Sequence, residues 1–475
     1  MKRYREGETL CLSLFRHHRW FYFSVRTTIR YVGVWGLLLS VQTPGFAADQ
    51  PIHQTEAKAK ALNLPGVLAY DWSPDGQTLV YVTREGIWKV YGPNFERPER
   101  LIRKGKCMGG GLETPQIRWL PDGQRFVFLD SRPVDEWTGV WIANADGSKV
   151  RELLPGWDFS YNSMRGLRLS ESVSADEISL FFRCGPGCLT LGLVSTKAGQ
   201  RPLRLGENLT GAKMNIMAPR YVWSPSRRWV VAERNDGELG LLDVNTVKAG
   251  QMVREAEDHR FLLPACGVPS LNSRVPDKDE IVNHFNSWSR DESRGLMTKW
   301  PCVTAPVQES SPQLALWHIK QQRSQPLVVN AGWGTWSPNG KNVAFVVFGV
   351  PRFDRHRRIV GTNFQVGQPF QLSVAVMDIA TRRVSVVIPL GIAAMGILYA
   401  DTLDRLLPVW SPTGTHLLLT DGREQKFIVR VDGSERQKLT PSGEGSATRW
   451  SPEGRWIMIH VPRPDPEPDC SQKPG

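Results

Sequence analysis

Short apolar runs, each entered through a tryptophan and a tight polar turn, return along most of the chain. The first is Tyr70-Asp71-Trp72-Ser73-Pro74-Asp75-Gly76 ahead of Thr78-Leu79-Val80-Tyr81-Val82. In such a turn Pro presets φ, Asp bonds its own backbone and Gly takes the left-handed conformation. An apolar run just beyond it predicts a β-hairpin. The pattern heads further segments at Trp119-Leu120-Pro121-Asp122-Gly123, Trp223-Ser224-Pro225, Trp336-Ser337-Pro338-Asn339-Gly340, Trp410-Ser411-Pro412-Thr413-Gly414 and Trp450-Ser451-Pro452-Glu453-Gly454. Two degenerate copies, Trp288-Ser289-Arg290-Asp291 and Leu169-Ser170 leading to Ile178-Ser179-Leu180-Phe181-Phe182, bring the heads to eight. The runs lack the usual alternation, as expected of strands buried on both faces.

These heads, with the second turns that follow them, resemble the WD-like propeller repeats of the TolB type, over nearly everything after about residue 60. The resemblance implies an all-β propeller of about eight four-stranded blades, or seven if a degenerate copy is not a full blade. The head residues Trp72, Trp119, Trp223, Trp288, Trp336, Trp410 and Trp450 are then core between blades. In the first repeat, Ile87 to Tyr91 and Arg100 to Ile102 supply the third and fourth strands, and in the second, Val140 to Ile142 and Val150 to Leu154 do so. The last head has only Trp456 to Ile459 before a proline-rich tail, whereas Lys60 to Gly66 is similar to Val150 to Gly156, which ends the second blade. Strands from both termini are therefore expected to close the ring, which removes exposed edges.

Because strands alternate in direction, the Ser-Pro-Asp-Gly turns and the Asp-Gly-Ser turns share one face. The irregular stretches fall on the other: Asp130 to Trp137, Glu255 to Phe285, Thr298 to Ser311, Gly349 to Phe370 and Gly391 to Leu407. Loops carry function more often than scaffold does, so this second face is the expected working surface.

Ahead of the repeats stands an address. Residues 1–30 hold seven Lys or Arg against two Glu, an apolar run follows from Tyr31 to Val41, and Pro44-Gly45-Phe46-Ala47-Ala48 supplies small residues for cleavage. The organisation read from this is a signal peptide over 1–48, a propeller over 49–461 and a tail over 462–475, with an exported, periplasmic or secreted product. The apolar run is too short for a membrane anchor. Loss of the leader lowers the net charge from +12 to +7, and no basic stripe interleaved with aromatics suggests nucleic acid as a partner.

Six cysteines follow the leader, an even number that fits disulfides in an oxidising compartment. Cys184 and Cys188 bracket a tight Gly-Pro-Gly turn and could close on one another; Cys266 and Cys302 flank one degenerate repeat. Cys107 and Cys470 remain, and the nine residues from Val461 to Cys470 span up to about 30 Å, enough to reach the first blade.

No nucleophile elbow, His-Glu-x-x-His or phosphate loop occurs, so no catalytic, cofactor or metal residues are assigned. The one distinctive charge run is Arg352-Phe353-Asp354-Arg355-His356-Arg357-Arg358, with Arg352, Arg355, His356, Arg357 and Arg358 as candidate partner-binding residues. TolB itself carries an α/β domain before its propeller, and only about 20 residues separate Ala48 from Trp72, so no TolB-specific partner is carried over. The leading expectation is a non-catalytic platform for an envelope or secreted protein, possibly acidic, or for an anionic polysaccharide. One alternative is a propeller lyase or hydrolase acting on an anionic glycan, with His259, His284 and His356 converging near the Arg run. Another is a detached propeller that regulates a separate peptidase.

Overall fold

The structure is a computed structural model. It describes residues 64–460 except segments 104–115, 132–137, 155–167, 198–202, 205–219, 234–238, 246–280, 302–311, 394–405, 422–424 and 440–446, and positions 65, 93–94, 96, 186–187, 322 and 366–367. The leader, the tail, His259, Cys107, Cys266, Cys302 and Cys470 lie outside the described residues.

Antiparallel meanders follow one another along the chain, and each is named here by its head. The Trp72 blade runs β1 (Ala69–Trp72), β2 (Thr78–Thr83), β3 (Gly86–Tyr91) and β4 (Glu99–Arg103). The Trp119 blade runs β5 (Ile117–Trp119), β6 (Arg125–Ser131), β7 (Thr138–Asn144) and β8 (Arg151–Leu154). The Leu169 blade runs β9 (Arg168–Ser174), β10 (Glu177–Gly185), β11 (Cys188–Ser195) and β12 (Leu203–Arg204). A three-stranded Trp223 sheet follows: β13 (Arg220–Trp223), β14 (Trp229–Glu233) and β15 (Leu239–Asp243).

The Trp288 blade comprises β16 (Ile281–Trp288), β17 (Arg294–Pro301), β18 (Gln313–His318) and β19 (Arg323–Val329). The Trp336 blade has β20 (Ala331–Trp336) and β21 (Asn342–Phe348), then an inserted hairpin of β22 (Pro351–Phe353) and β23 (Ile359–Thr362), then β24 (Phe370–Asp378) and β25 (Val384–Ala393). The Trp410 blade has β26 (Val409–Trp410), β27 (His416–Thr420), β28 (Lys426–Arg430) and β29 (Gln437–Lys438). The Trp450 hairpin, β30 (Ala447–Trp450) and β31 (Ile457–His460), ends the described chain.

This is an all-β propeller, with six four-stranded blades among the described residues rather than the eight expected. The shortfall is not at the degenerate heads, since the Leu169 and Trp288 repeats are complete meanders. It is at two well-formed heads, Trp223 and Trp450, because the head turn specifies only the first two strands. Outer strands depend on sequence further along, and residues 246–280 and 461–475 are outside the described set.

The heads fold as local chemistry dictates. In the first, Ser73 Oγ donates to Asp75 Oδ1 at 2.5 Å and accepts from Thr78 N at 2.9 Å, while Gly76 N donates to Ser73 O at 2.8 Å. Ser289 and Ser337 repeat the arrangement with Asp291 and Asn339. Arg227 and Glu292 stand where the other heads have glycine, with φ of 62° and 56°. Such a conformation costs an ordinary residue about 1 kcal/mol. At Glu292 the carboxylate offsets that cost by accepting from Ser226 N and from Ser226 Oγ, the latter at 2.8 Å, in the turn of the preceding sheet.

The core lies between blades. All seven head tryptophans are at most 9% exposed. Val80, Val82 and Ile87 meet Trp119, Phe126 and Phe128 across one seam, and Leu296, Leu314 and Val328 meet Trp336, Phe345 and Met377 across another. Burial of a side chain of this size stabilises by about 1.5–3 kcal/mol, so each seam contributes substantially to stability. The same packing joins the chain's ends, since Trp456 and Met458 lie against Trp72, Tyr81 and Phe95. Phe95 and Trp456 meet edge-on with ring centres 5.1 Å apart.

Among the described residues the contacts that close the ring are made by side chains. Among the described residues the Trp450 hairpin pairs only with itself, and the expected closing strand at 60–66 falls almost wholly outside them.

Candidate partner-binding site on the Trp336 blade

The Arg run occupies the tip of the β22–β23 hairpin, inserted between the second and third strands of its blade. Arg352 pairs with Gly361 and Phe353 with Ile359 across the ribbon. At the tip, Arg357 N donates to Asp354 O and Asp354 N to Arg358 O, both at 3.0 Å, with Arg357 at φ 63°. This is a type I turn closed by a left-handed residue, the common geometry of a three-residue hairpin loop.

The pattern of turns puts this run on the face of the irregular loops, and the structure revises that position. Phe353 and Ile359, which flank the charges, pack into the seam between the Trp288 and Trp336 blades. Asn330 Nδ2 donates to Thr362 Oγ1 at 3.0 Å, which lays β23 beside the end of β19. The hairpin consequently folds back along the seam. Its tip reaches the opposite end of the blade, where Val384 N donates to Arg357 O at 3.0 Å. Val384 opens β25 and pairs with Met377, next to the Asn342–Asp378 pair that follows the head turn.

The charged side chains point out. Arg352, Arg355, His356, Arg357 and Arg358 are all exposed. Arg358 Nε donates to Asp354 Oδ2 at 2.7 Å, and Asp354 Oδ1 accepts from the N–H groups of His356 and Arg358. The Arg358 backbone N–H, helped by its guanidinium and by the His356 N–H, holds the Asp354 carboxyl below its usual range. Arg355 Nε donates to His356 Nε2 at 3.0 Å, and the Arg357 guanidinium lies 4.9 Å from the centre of the Phe353 ring.

Two neighbours were not anticipated from the sequence. Arg382 and Arg383 immediately precede Val384, so the β24–β25 turn places two more guanidinium-bearing residues beside the hairpin tip. The signal was present as Thr381-Arg382-Arg383, but without the Asp-Gly-Ser signature of the corresponding turns elsewhere.

The remaining candidates scatter. His284 lies on β16, opposite Thr298 of β17, and not in a loop as expected, because β16 begins at Ile281. His356 is on the hairpin, so the structure does not bring these two together. Cys184 and Cys188 occupy adjoining strand ends, with Gly185 opposite Cys188. Among the described residues no three His, Cys, Asp or Glu side chains gather as a metal site would require.

No family model matches the chain, and no curated protein matches it. Solved structures similar to it include TolB from Acinetobacter baumannii, at 15% identity over 77% of this chain and 79% of that one, with a TM-score of 0.33. The C-terminal WD40 domain of Sif2 is similar at 10% identity over 83% and 93%, with a TM-score of 0.42. An oligogalacturonate lyase in complex with manganese is similar at 9% identity over 75% and 86%, also with a TM-score of 0.42.

Proposed function

We propose that this chain is an exported, non-catalytic propeller of the TolB type that serves as a docking platform for a protein partner, held at the rim of the Trp336 blade. One observation carries the reading. The β22–β23 hairpin adds to the four-strand meander an element whose inner side chains are anchored in a seam and whose outer ones are a dense set of exposed arginines. A rigid scaffold that presents a charged projection suits recognition rather than core packing. Export is supported by the basic leader, its apolar run and the small residues ending at Ala48.

The test is crosslinking capture from cell-envelope extract by the leaderless protein and by a variant with Arg352, Arg355, Arg357 and Arg358 all changed to Ser. A defined protein retained by the first and lost by the second is the expected result. Equal capture by both would remove the hairpin from the reading, and capture by neither would turn attention to glycan cleavage. N-terminal sequencing of the exported product is expected to begin at Ala48 or Asp49.

A further inference from the structure

We propose that the hairpin tip and the neighbouring β24–β25 turn form one arginine clamp for an acidic segment of a partner protein, a specification that rests on the docking role above. The two turns are tied by the Val384 N to Arg357 O hydrogen bond of 3.0 Å, which sets Arg357 and Arg383 side by side. They are 26 residues apart in sequence and belong to the turns of different hairpins, so the pairing is a product of the fold.

Backbone conformation gives a second, independent pointer. Arg357 and Arg382 have φ of 63° and 58°. Glycine is the low-cost residue there, and it occupies the left-handed site of the β7–β8 turn as Gly147 and of the β28–β29 turn as Gly433. Each arginine strains the backbone in a way that glycine would not. Two such positions filled by the same long cation in touching turns indicate that the side chain is what is wanted.

Local charge balance leaves the clamp unmatched. Asp354 is held by Arg358, and Asp378 accepts from Thr381 N and Thr381 Oγ1, both at 2.8 Å. Among the described residues no carboxylate lies within ion-pairing distance of Arg355, Arg357, Arg382 or Arg383. Guanidinium forks suit carboxylates, which they grip through paired N–H donors. The apolar surface beside them selects among carboxylate polymers. Val360 on β23 is 60% exposed, and Phe353 is covered only in part by Arg357. A peptide that mixes acidic and apolar side chains fills both features, whereas an acidic glycan offers nothing to Val360.

The test uses the full mature chain and two probes, a labelled peptide of alternating Glu and Leu and a labelled polygalacturonate, with binding read by fluorescence anisotropy. Wild type is expected to bind the peptide more tightly than the glycan and to lose affinity as salt is raised. The pairs Arg355→Ser with Arg357→Ser, and Arg382→Ser with Arg383→Ser, are each expected to weaken peptide binding about tenfold. Arg382→Lys with Arg383→Lys should restore only part of it, since charge remains and the fork is lost; this variant also serves if the Ser pair misfolds.

Unchanged binding in the Arg382/Arg383 Ser pair overturns the clamp. Glycan binding as tight as peptide binding overturns the choice of a protein segment, and so does failure of the peptide to bind at all. The same pair run through envelope capture separates the two claims, because a partner captured regardless of Arg382 and Arg383 sinks the clamp and leaves the platform standing.

Discussion

Arg449 Nη1 lies 2.5 Å from Asp71 Oδ1, joining two first strands that stand 378 residues apart in the chain. Each of these residues precedes its head tryptophan, and each faces the next unit around the ring. Asp71 Oδ2 accepts from Trp119 N at 2.8 Å, so a single carboxylate links the Trp450 hairpin, the Trp72 blade and the Trp119 blade. The position is used the same way elsewhere: Ser287 Oγ donates to Gly334 O and Thr335 Oγ1 to Pro408 O. The ring is thus stitched at its first strands, and the junction of the two ends uses the one charged stitch among these.

Removal of one partner of a buried ion pair costs more than removal of both, because a lone buried charge is left behind. Asp71 is 5% exposed, whereas the Arg449 side chain is about half exposed, which moderates the effect. Arg449→Ser is expected to destabilise by about 2 kcal/mol. Asp71→Asn should be close to neutral, since the amide oxygen still accepts from Trp119 N. The double variant should recover most of the Arg449→Ser loss. Urea midpoints of the four proteins check this, and additive losses would show that the two side chains do not interact.

Acidity probes the same carboxylate from another side. Burial pushes the Asp71 carboxyl above its ordinary value of 3.8, against the opposing pull of Arg449 and Arg118. A carboxyl raised in the fold holds its proton more tightly there than in the unfolded chain. The stability it contributes is complete below 3.8 and is lost as pH rises through the folded value. Wild type should therefore lose stability relative to Asp71→Asn as pH climbs from about 4. In the Arg449→Ser background the fall should be larger, because the guanidinium that lowers the value is gone. Thermal midpoints across an acid-to-neutral series measure it, and a difference that grows in favour of wild type with rising pH would reverse the assigned sign.

The junction between the Trp336 and Trp410 blades makes the neutral version of the stitch. Trp410 Nε1 donates to Thr335 O at 3.1 Å while Thr335 Oγ1 donates to Pro408 O at 2.7 Å. Thr335→Val keeps the shape and removes one donor, and should cost about 1 kcal/mol. Trp410→Phe loses the indole N–H and leaves a small void, and should cost about 2 kcal/mol. Both are read as shifts in urea midpoint, and a larger loss in the threonine variant would contradict this ordering.

What the sequence disclosed follows the range of each interaction. The head turns were legible because Ser73, Asp75 and Gly76 specify one another within five residues. Outer strands were legible only where an apolar pair or run marks them, as Leu101-Ile102 does in β4 and Leu153-Leu154 in β8, whereas β12 and β29 are two residues each and carry no such mark. The Arg run was legible as composition, but its position was not. Phe353 and Ile359 are ordinary in a charged loop until a seam exists to receive them. The Asp71–Arg449 pair carried no local signal at all, although opposite charges preceding the first and last head tryptophans were open to view.

The clamp's backbone sets a trade between stability and recognition at Arg382. Its φ of 58° puts it in the region where Gly433 and Gly147 sit in the corresponding turns, with φ of 87° and 81°. Arg382→Gly relieves that strain but frees the unfolded chain, so the net gain should be about 0.5 kcal/mol rather than the full 1 kcal/mol. Peptide binding should weaken in the same variant, because one guanidinium fork of the clamp has been removed. Arg382→Ala separates the two effects: it keeps the left-handed strain, loses the fork and should weaken binding with no gain in stability. A glycine variant that binds as wild type does, or an alanine variant that is stabilised as much as the glycine one, would show that the arginine at this position is not held for its side chain.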